Sequence, residues 1–169
     1  MRRKRKRASD MRAEQIERWL QRSVLALALY VWLGGFAVLA DTSIEGQASM
    51  SEGGGVRLGY PIPLNSWLHL DLGASAWLGE RTTVAFEAIP MARWTSSNWY
   101  AEAGLGGAAL FNADPARTGS SLLFTEALGI GYKGSRWEAT VHYRHYSNAG
   151  LASPNSGYDF VGAGVRFEF

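Results

Sequence analysis

The sequence predicts an all-β chain, an eight-stranded antiparallel transmembrane β-barrel preceded by an N-terminal signal segment. Three observations carry that prediction. Residues 1–40 join a basic stretch to an apolar run, residues 41–169 repeat segments with apolar residues at every second position, and the last such segment stops on Phe169. Successive side chains of a strand point to opposite faces, so period two over roughly ten residues marks a wall with one face in lipid and one in a lumen.

The chain has 169 residues and no cysteine. That length suits one domain, and without cysteine neither a disulfide framework nor a thiolate metal site is available. The basic pI of about 9.0 suggests nucleic acid until the charge is divided along the chain. Residues 1–40 hold nine Lys/Arg against three Asp/Glu, a net of +6, and residues 41–169 hold eight against twelve, a net of −4. The basicity is confined to the front, so nucleic acid is not an expected partner.

That front reads as an export signal. Arg2 to Arg7, with Arg12, Arg18 and Arg22 behind them, precede the apolar run Val24 to Leu39, and Val38-Leu39-Ala40 offers the small residues of a cleavage site after Ala40. The n-region is long when counted from Met1 and more ordinary when counted from Met11. The competing reading is an uncleaved helical anchor. Its apolar run falls short of the ~20 residues that span a bilayer. The domain division is therefore a signal peptide over 1–40 and a barrel over 41–169.

Strands follow in order. Two weaker segments, near Ile44 to Met50 and Val56 to Tyr60, come first. In Trp67 to Leu78, the row Leu68, Leu70, Leu72, Ala74, Ala76, Leu78 opposes Trp67, His69, Asp71, Gly73, Ser75, Trp77. Thr83 to Trp94 and Trp99 to Phe111 alternate in the same way, the latter setting small and apolar residues against Tyr100, Glu102 and glycines. Leu122 to Tyr132 fits less well, because Glu126 shares the row of Leu122, Phe124, Leu128 and Ile130. In Arg136 to Ser147, Trp137, Ala139, Val141, Tyr143, His145 and Ser147 form one row, and in the closing segment Asp159 begins the row of Val161, Ala163, Val165, Phe167 and Phe169.

Short connections at Pro61 to Ser66, Thr95 to Asn98 and Lys133 to Ser135 alternate with links at Ser51 to Gly55, Gly79 to Thr82, Phe111 to Ser120 and Asn148 to Gly157. Outer-membrane barrels have tight periplasmic turns and longer outer loops, which places Asn148 to Gly157 outside the cell. A soluble antiparallel sandwich also alternates. Three features favour the barrel. Its polar rows carry both signs, in Asp71, Glu87, Arg93, Glu102, Glu138, Arg144, Arg166 and Glu168, as a side-chain-filled lumen does. Trp67, Trp77, Trp94, Trp99, Tyr132 and Trp137 lie at strand ends as interfacial girdles do, and Phe169 resembles the terminal phenylalanine of bacterial outer-membrane barrels. A barrel of this size is packed, not a general pore.

His145, Ser147 and Asp159 lie on apolar rows and so face outward, at lipid. For any one of them an interfacial strand end is a sufficient explanation. Together they are harder to dismiss. His145 and Ser147 share a face at a Cα spacing of roughly 6.5 Å, and Asp159 stands across the hairpin. A serine nucleophile, an imidazole base and an acid that fixes its tautomer divide the labour of acyl transfer in that way. Backbone N–H groups of Asn148-Ala149-Gly150, with the Asn155 side chain as a weaker candidate, would face the oxyanion.

His145-Tyr146-Ser147-Asn148-Ala149-Gly150, followed by Pro154-Asn155-Ser156-Gly157 and a short terminal strand, resembles the PagL family of outer-membrane lipid A 3-O-deacylases. The resemblance implies hydrolysis of the ester-linked 3-hydroxyacyl chain at position 3 of lipid A, without a metal or organic cofactor. It implies Ser147 as nucleophile and His145 as base, and it places Asn148 on a family asparagine important for activity. The family's acid is a glutamate, and Asp159, one methylene shorter, occupies its position. The expected partners are lipid A or lipopolysaccharide and the bacterial outer membrane, with a second copy of the barrel admissible as a homodimer. The alternative from another class is a non-enzymatic structural or adhesive barrel.

Other chemistries have less support. His69 and His142 lie on inward rows without a second ligand at a metal spacing, and read as interior hydrogen-bonding residues. Gly53-Gly54-Gly55 and Gly104-Leu105-Gly106-Gly107 lack the strand-to-helix setting of a phosphate loop and are expected to relieve crowding where strands bend.

Overall fold

Period two in the sequence becomes an inside–outside alternation in the wall. The computed structural model describes residues 41–49, 53–79 and 81–168, and in it eight strands pair in sequence order and close into an antiparallel barrel. They are β1 (Ser43–Ser49), β2 (Gly53–Pro63), β3 (Leu68–Leu78), β4 (Thr82–Ser96), β5 (Trp99–Phe111), β6 (Leu122–Lys133), β7 (Trp137–Ser147) and β8 (Tyr158–Phe167). β8 closes on β1, with Ser43 opposite Arg166. A one-turn helix, α1 (Pro115–Thr118), interrupts the β5–β6 connection. The expected signal segment and Phe169 lie outside the described residues.

The outward rows are apolar, with Leu72, Leu78, Leu105, Leu128, Ile130, Val141, Val161 and Val165 all exposed. Closing the sheet leaves no free edge, and the apolar wall takes the place of a core. The lumen is filled by charge in one half. Arg57 Nη2 reaches Asp71 Oδ2 at 2.6 Å and its Nε reaches Glu87 Oε2 at 3.3 Å. Tyr146 Oη and Ser75 Oγ donate to the other Glu87 oxygen. Arg144 pairs with Glu45, Arg93 with Glu102 and Glu138, and Arg166 with Glu138. Buried charges persist when they are paired and hydrogen-bonded, and each carboxylate here has at least one cationic partner.

His142 spans Glu45 and Glu102 at 3.2 and 2.7 Å, which matches its reading as an interior hydrogen-bonding residue. Glu45 and Arg57, on the two weakest sequence segments, are both deeply buried in the lumen.

Trp77 corrects one expectation. Instead of joining a girdle it is buried, on the inward row of Asp71 and Ser75, with ring centroids 4.5 Å from Phe160, 5.1 Å from Tyr146 and 5.3 Å from Tyr158. These rings, with Leu110 and Leu123, form an apolar plug at the long-loop end of the lumen. The true girdle is Trp67, Trp94, Trp99, Tyr132 and Trp137. All of them lie by the short turns, Trp99 meeting Tyr132 edge to face and Trp137 packing against it at a tilt.

β2 is longer at both ends than its sequence suggested. Its last residues, past Gly59, pair with β3 and not with β1, so the missing N–H of Pro61 and Pro63 can fall on an open side. The glycines of β5 serve close approach: a Cβ on Gly106 would collide with the Ala88 carbonyl beside Pro90, where β4–β5 pairing lapses.

Candidate active site

The site is a product of strand register. β7 and β8 pair so that His145 stands directly opposite Asp159. Both face outward, the His145 side chain 29% exposed and that of Asp159 58%. His145 Nδ1 lies 2.8 Å from Asp159 Oδ1. An ionised carboxylate accepts only, so Nδ1 carries the proton, and the neutral tautomer with that proton has its lone pair on Nε2.

Ser147 is the last residue of β7, half-buried, on the same outward row and opposite Phe124 of β6. It stands two residues along the strand from His145 on the same face, at a Cα spacing of roughly 6.5 Å. No hydrogen bond joins the two in this structure; a contact between a nucleophile and a base often tightens only with substrate in place.

Asn148 has turned away from the wall. It is 2% exposed, and its Nδ2 points at the carbonyls of Thr118, Ala152 and Pro154 at 2.5, 2.8 and 3.3 Å. Its Oδ1 accepts from Gly150 N–H, and its own N–H donates to Asn155 Oδ1. Asn148 thereby ties the β7–β8 loop to itself and to the β5–β6 loop. Arg117 strengthens the tie, its Nη2 donating to the Gly157 carbonyl at 2.9 Å while Ser156 N–H donates to the Arg117 carbonyl at 2.7 Å. Of the donors beside Ser147, those of Asn148 and Gly150 are thus spent within the loop. Among the described residues, the Ala149 N–H and the Asn155 Nδ2 have no protein acceptor.

Gly157 is a contact that the sequence reading missed. Its φ is +66°, and a Cβ there would sit 2.7 Å from the Tyr146 carbonyl and 3.0 Å from His145 Cε1. The imidazole occupies the space a side chain would take. Tyr143 is another, bonded to Asp159 through its hydroxyl. Glu126 is exposed on β6 and stands opposite His145 on the side away from Asp159. Among the described residues no three His, Asp or Glu side chains gather as metal ligands.

Comparison with known proteins decides the family. The sequence profile of the lipid A 3-O-deacylases, PagL, matches residues 10–168. The chain belongs to the PagL family. The lipid A deacylase PagL of Bordetella bronchiseptica (strain ATCC BAA-588 / NCTC 13252 / RB50) is 30% identical, across 81% of this chain and 95% of that protein. The crystal structure of the outer membrane enzyme PagL is similar at 27% identity and a TM-score of 0.65, across 77% of this chain and all of that one. The N-terminal β-barrel domain of Pseudomonas aeruginosa OprF shares the fold alone, at 16% identity and a TM-score of 0.53 over 76% of this chain and 96% of that one. Membership in the PagL family makes this chain an outer-membrane barrel of the ester-hydrolysing kind, and the non-enzymatic alternative is set aside.

Proposed function

We propose that this chain removes the 3-O-linked hydroxyacyl group of lipid A as a serine esterase, with Ser147 as nucleophile, His145 as general base and Asp159 as the acid that orients it. The observation that carries the proposal is the His145–Asp159 hydrogen bond on the lipid-facing wall, two residues from Ser147. An ionisable pair in that place costs stability. The placement becomes intelligible when the ester to be cut stays in the outer leaflet, where a lumenal site could not reach it.

In the proposed cycle, Ser147 Oγ attacks the ester carbonyl as His145 Nε2 takes its proton, and Asp159 stabilises the imidazolium. The carbonyl oxygen becomes an oxyanion, received by the Ala149 N–H and the Asn155 Nδ2. Collapse breaks the bond to the sugar O3, and His145 returns the proton to that oxygen. Water, deprotonated by the same imidazole, then releases the 3-hydroxy fatty acid from Ser147. Asn148 supports the oxyanion donors by holding their loop. Export through a signal cleaved after Ala40 belongs to the same proposal.

The purified protein in detergent, incubated with lipopolysaccharide, is expected to release free 3-hydroxy fatty acid. The folded Ser147→Ala variant should release none; release at the wild-type rate would refute the assignment.

A further inference from the structure

Tyr143 lies two residues before His145 on β7 and faces outward with it, 41% exposed. A tyrosine on a barrel's outer wall usually sends its hydroxyl to the headgroups and water. This hydroxyl instead donates to Asp159 Oδ1 at 2.5 Å, the same oxygen that His145 Nδ1 meets at 2.8 Å. Register explains the reach. His145 opposes Asp159 and Tyr143 opposes Val161, so Tyr143 and Asp159 are diagonal neighbours on one face, a gap that an aromatic side chain spans.

A carboxylate on a lipid-facing wall needs donors to stay ionised and a second contact to stay oriented. A single bond to the imidazole leaves it free to turn about its terminal torsion, which is soft in aspartate. Short as it is, the Asp159 side chain lies between two donors from the neighbouring strand, which together fix both its position and its charge. The geometry points to Tyr143 as a positioning residue for ester hydrolysis: its hydroxyl holds the Asp159 carboxylate where it receives the His145 Nδ1–H, and so aims Nε2. Tyr143 keeps its proton throughout and touches neither nucleophile nor ester. The inference rests on the Ser147–His145–Asp159 assignment.

The test is a double-mutant cycle on the full-length protein in mixed micelles with lipopolysaccharide, using wild type, Tyr143→Phe, Asp159→Asn and the pair. Folding is followed by heat-modifiable electrophoretic migration. Tyr143→Phe keeps the ring and loses only the donor, so kcat should fall about tenfold with KM little changed. In the Asp159→Asn background the same substitution should alter kcat by less than about twofold, because its effect passes through the acid.

Full kcat in Tyr143→Phe, a loss seen only in KM, or equal losses in both backgrounds would overturn the inference. So would failure of Tyr143→Phe to assemble while Asp159→Asn assembles, which would assign the hydroxyl to the wall. Activity surviving in Ser147→Ala would instead defeat the underlying triad, whereas an inactive Ser147→Ala beside a fully active Tyr143→Phe defeats this inference alone.

Discussion

His145 of β7 and Asp159 of β8 are opposed residues of one hairpin, joined Nδ1 to Oδ1 at 2.8 Å on the outside of the barrel. Strand pairing by itself sets this contact. The acid reaches its histidine because two alternating rows were brought into register, and every residue in those rows inherits a fixed relation to the pair.

Asp159→Asn should leave a folded barrel with hydrolysis reduced by roughly 10² to 10⁴, since an amide that can donate favours the wrong imidazole tautomer. Initial rates on lipopolysaccharide measure it. An unchanged rate would transfer the role elsewhere, with Glu126 on the other flank of His145 the first candidate.

Gly157→Ala should lower kcat with little change in assembly. The new methyl group would press on the Tyr146 carbonyl and on His145 Cε1, and the left-handed φ adds about 1–2 kcal/mol of strain. Because the added methyl falls on the imidazole, the loss should appear in turnover before it appears in barrel stability, and parallel kinetics and thermal unfolding separate the two.

Asn148→Ala leaves the Thr118, Ala152 and Pro154 carbonyls without their shared donor, at about 1–3 kcal/mol for the buried Thr118 carbonyl and less for the two half-buried ones. The expected result is faster proteolytic cleavage within residues 148–157, weaker hydrolysis and an intact barrel. Limited proteolysis followed by mass analysis detects it.

Glu87→Ala acts in the opposite sense, on the fold and not on the chemistry. It strips Arg57, Ser75 and Tyr146 of a common partner in the lumen, and breaking such a buried network costs about 3–5 kcal/mol. Urea unfolding followed by tryptophan fluorescence should shift to lower midpoint, while the folded fraction retains its activity per molecule.

Most of the wall was legible in the sequence because alternation is a local property: Leu68 to Leu78 or Trp137 to Ser147 needs no partner to declare its two faces. The outward placement of His145, Ser147 and Asp159 followed from parity alone. What needed coordinates was register. Whether Asp159 meets His145 or a neighbour depends on how many residues the β7–β8 loop consumes, which composition does not fix.

Trp77 was misplaced for a related reason. Its position at a strand end suggested an interface, while its parity with Asp71 and Ser75 put it inside, and the partners that settle the matter, Tyr146, Tyr158 and Phe160, come from the far end of the chain. The engagement of Asn148 with Thr118 was out of reach for the same cause: it joins two loops separated by a whole hairpin.

The central claim is that a hydroxyl on the convex face of the barrel cuts an acyl ester of lipid A. Mass spectrometry of lipid A from cells expressing the wild-type chain or Ser147→Ala, matched for folded barrel in the outer membrane, tests it most directly. The account predicts that wild type shifts lipid A down by the mass of one hydroxyacyl chain and that Ser147→Ala leaves it unshifted. The same loss from both, or from neither, would contradict it.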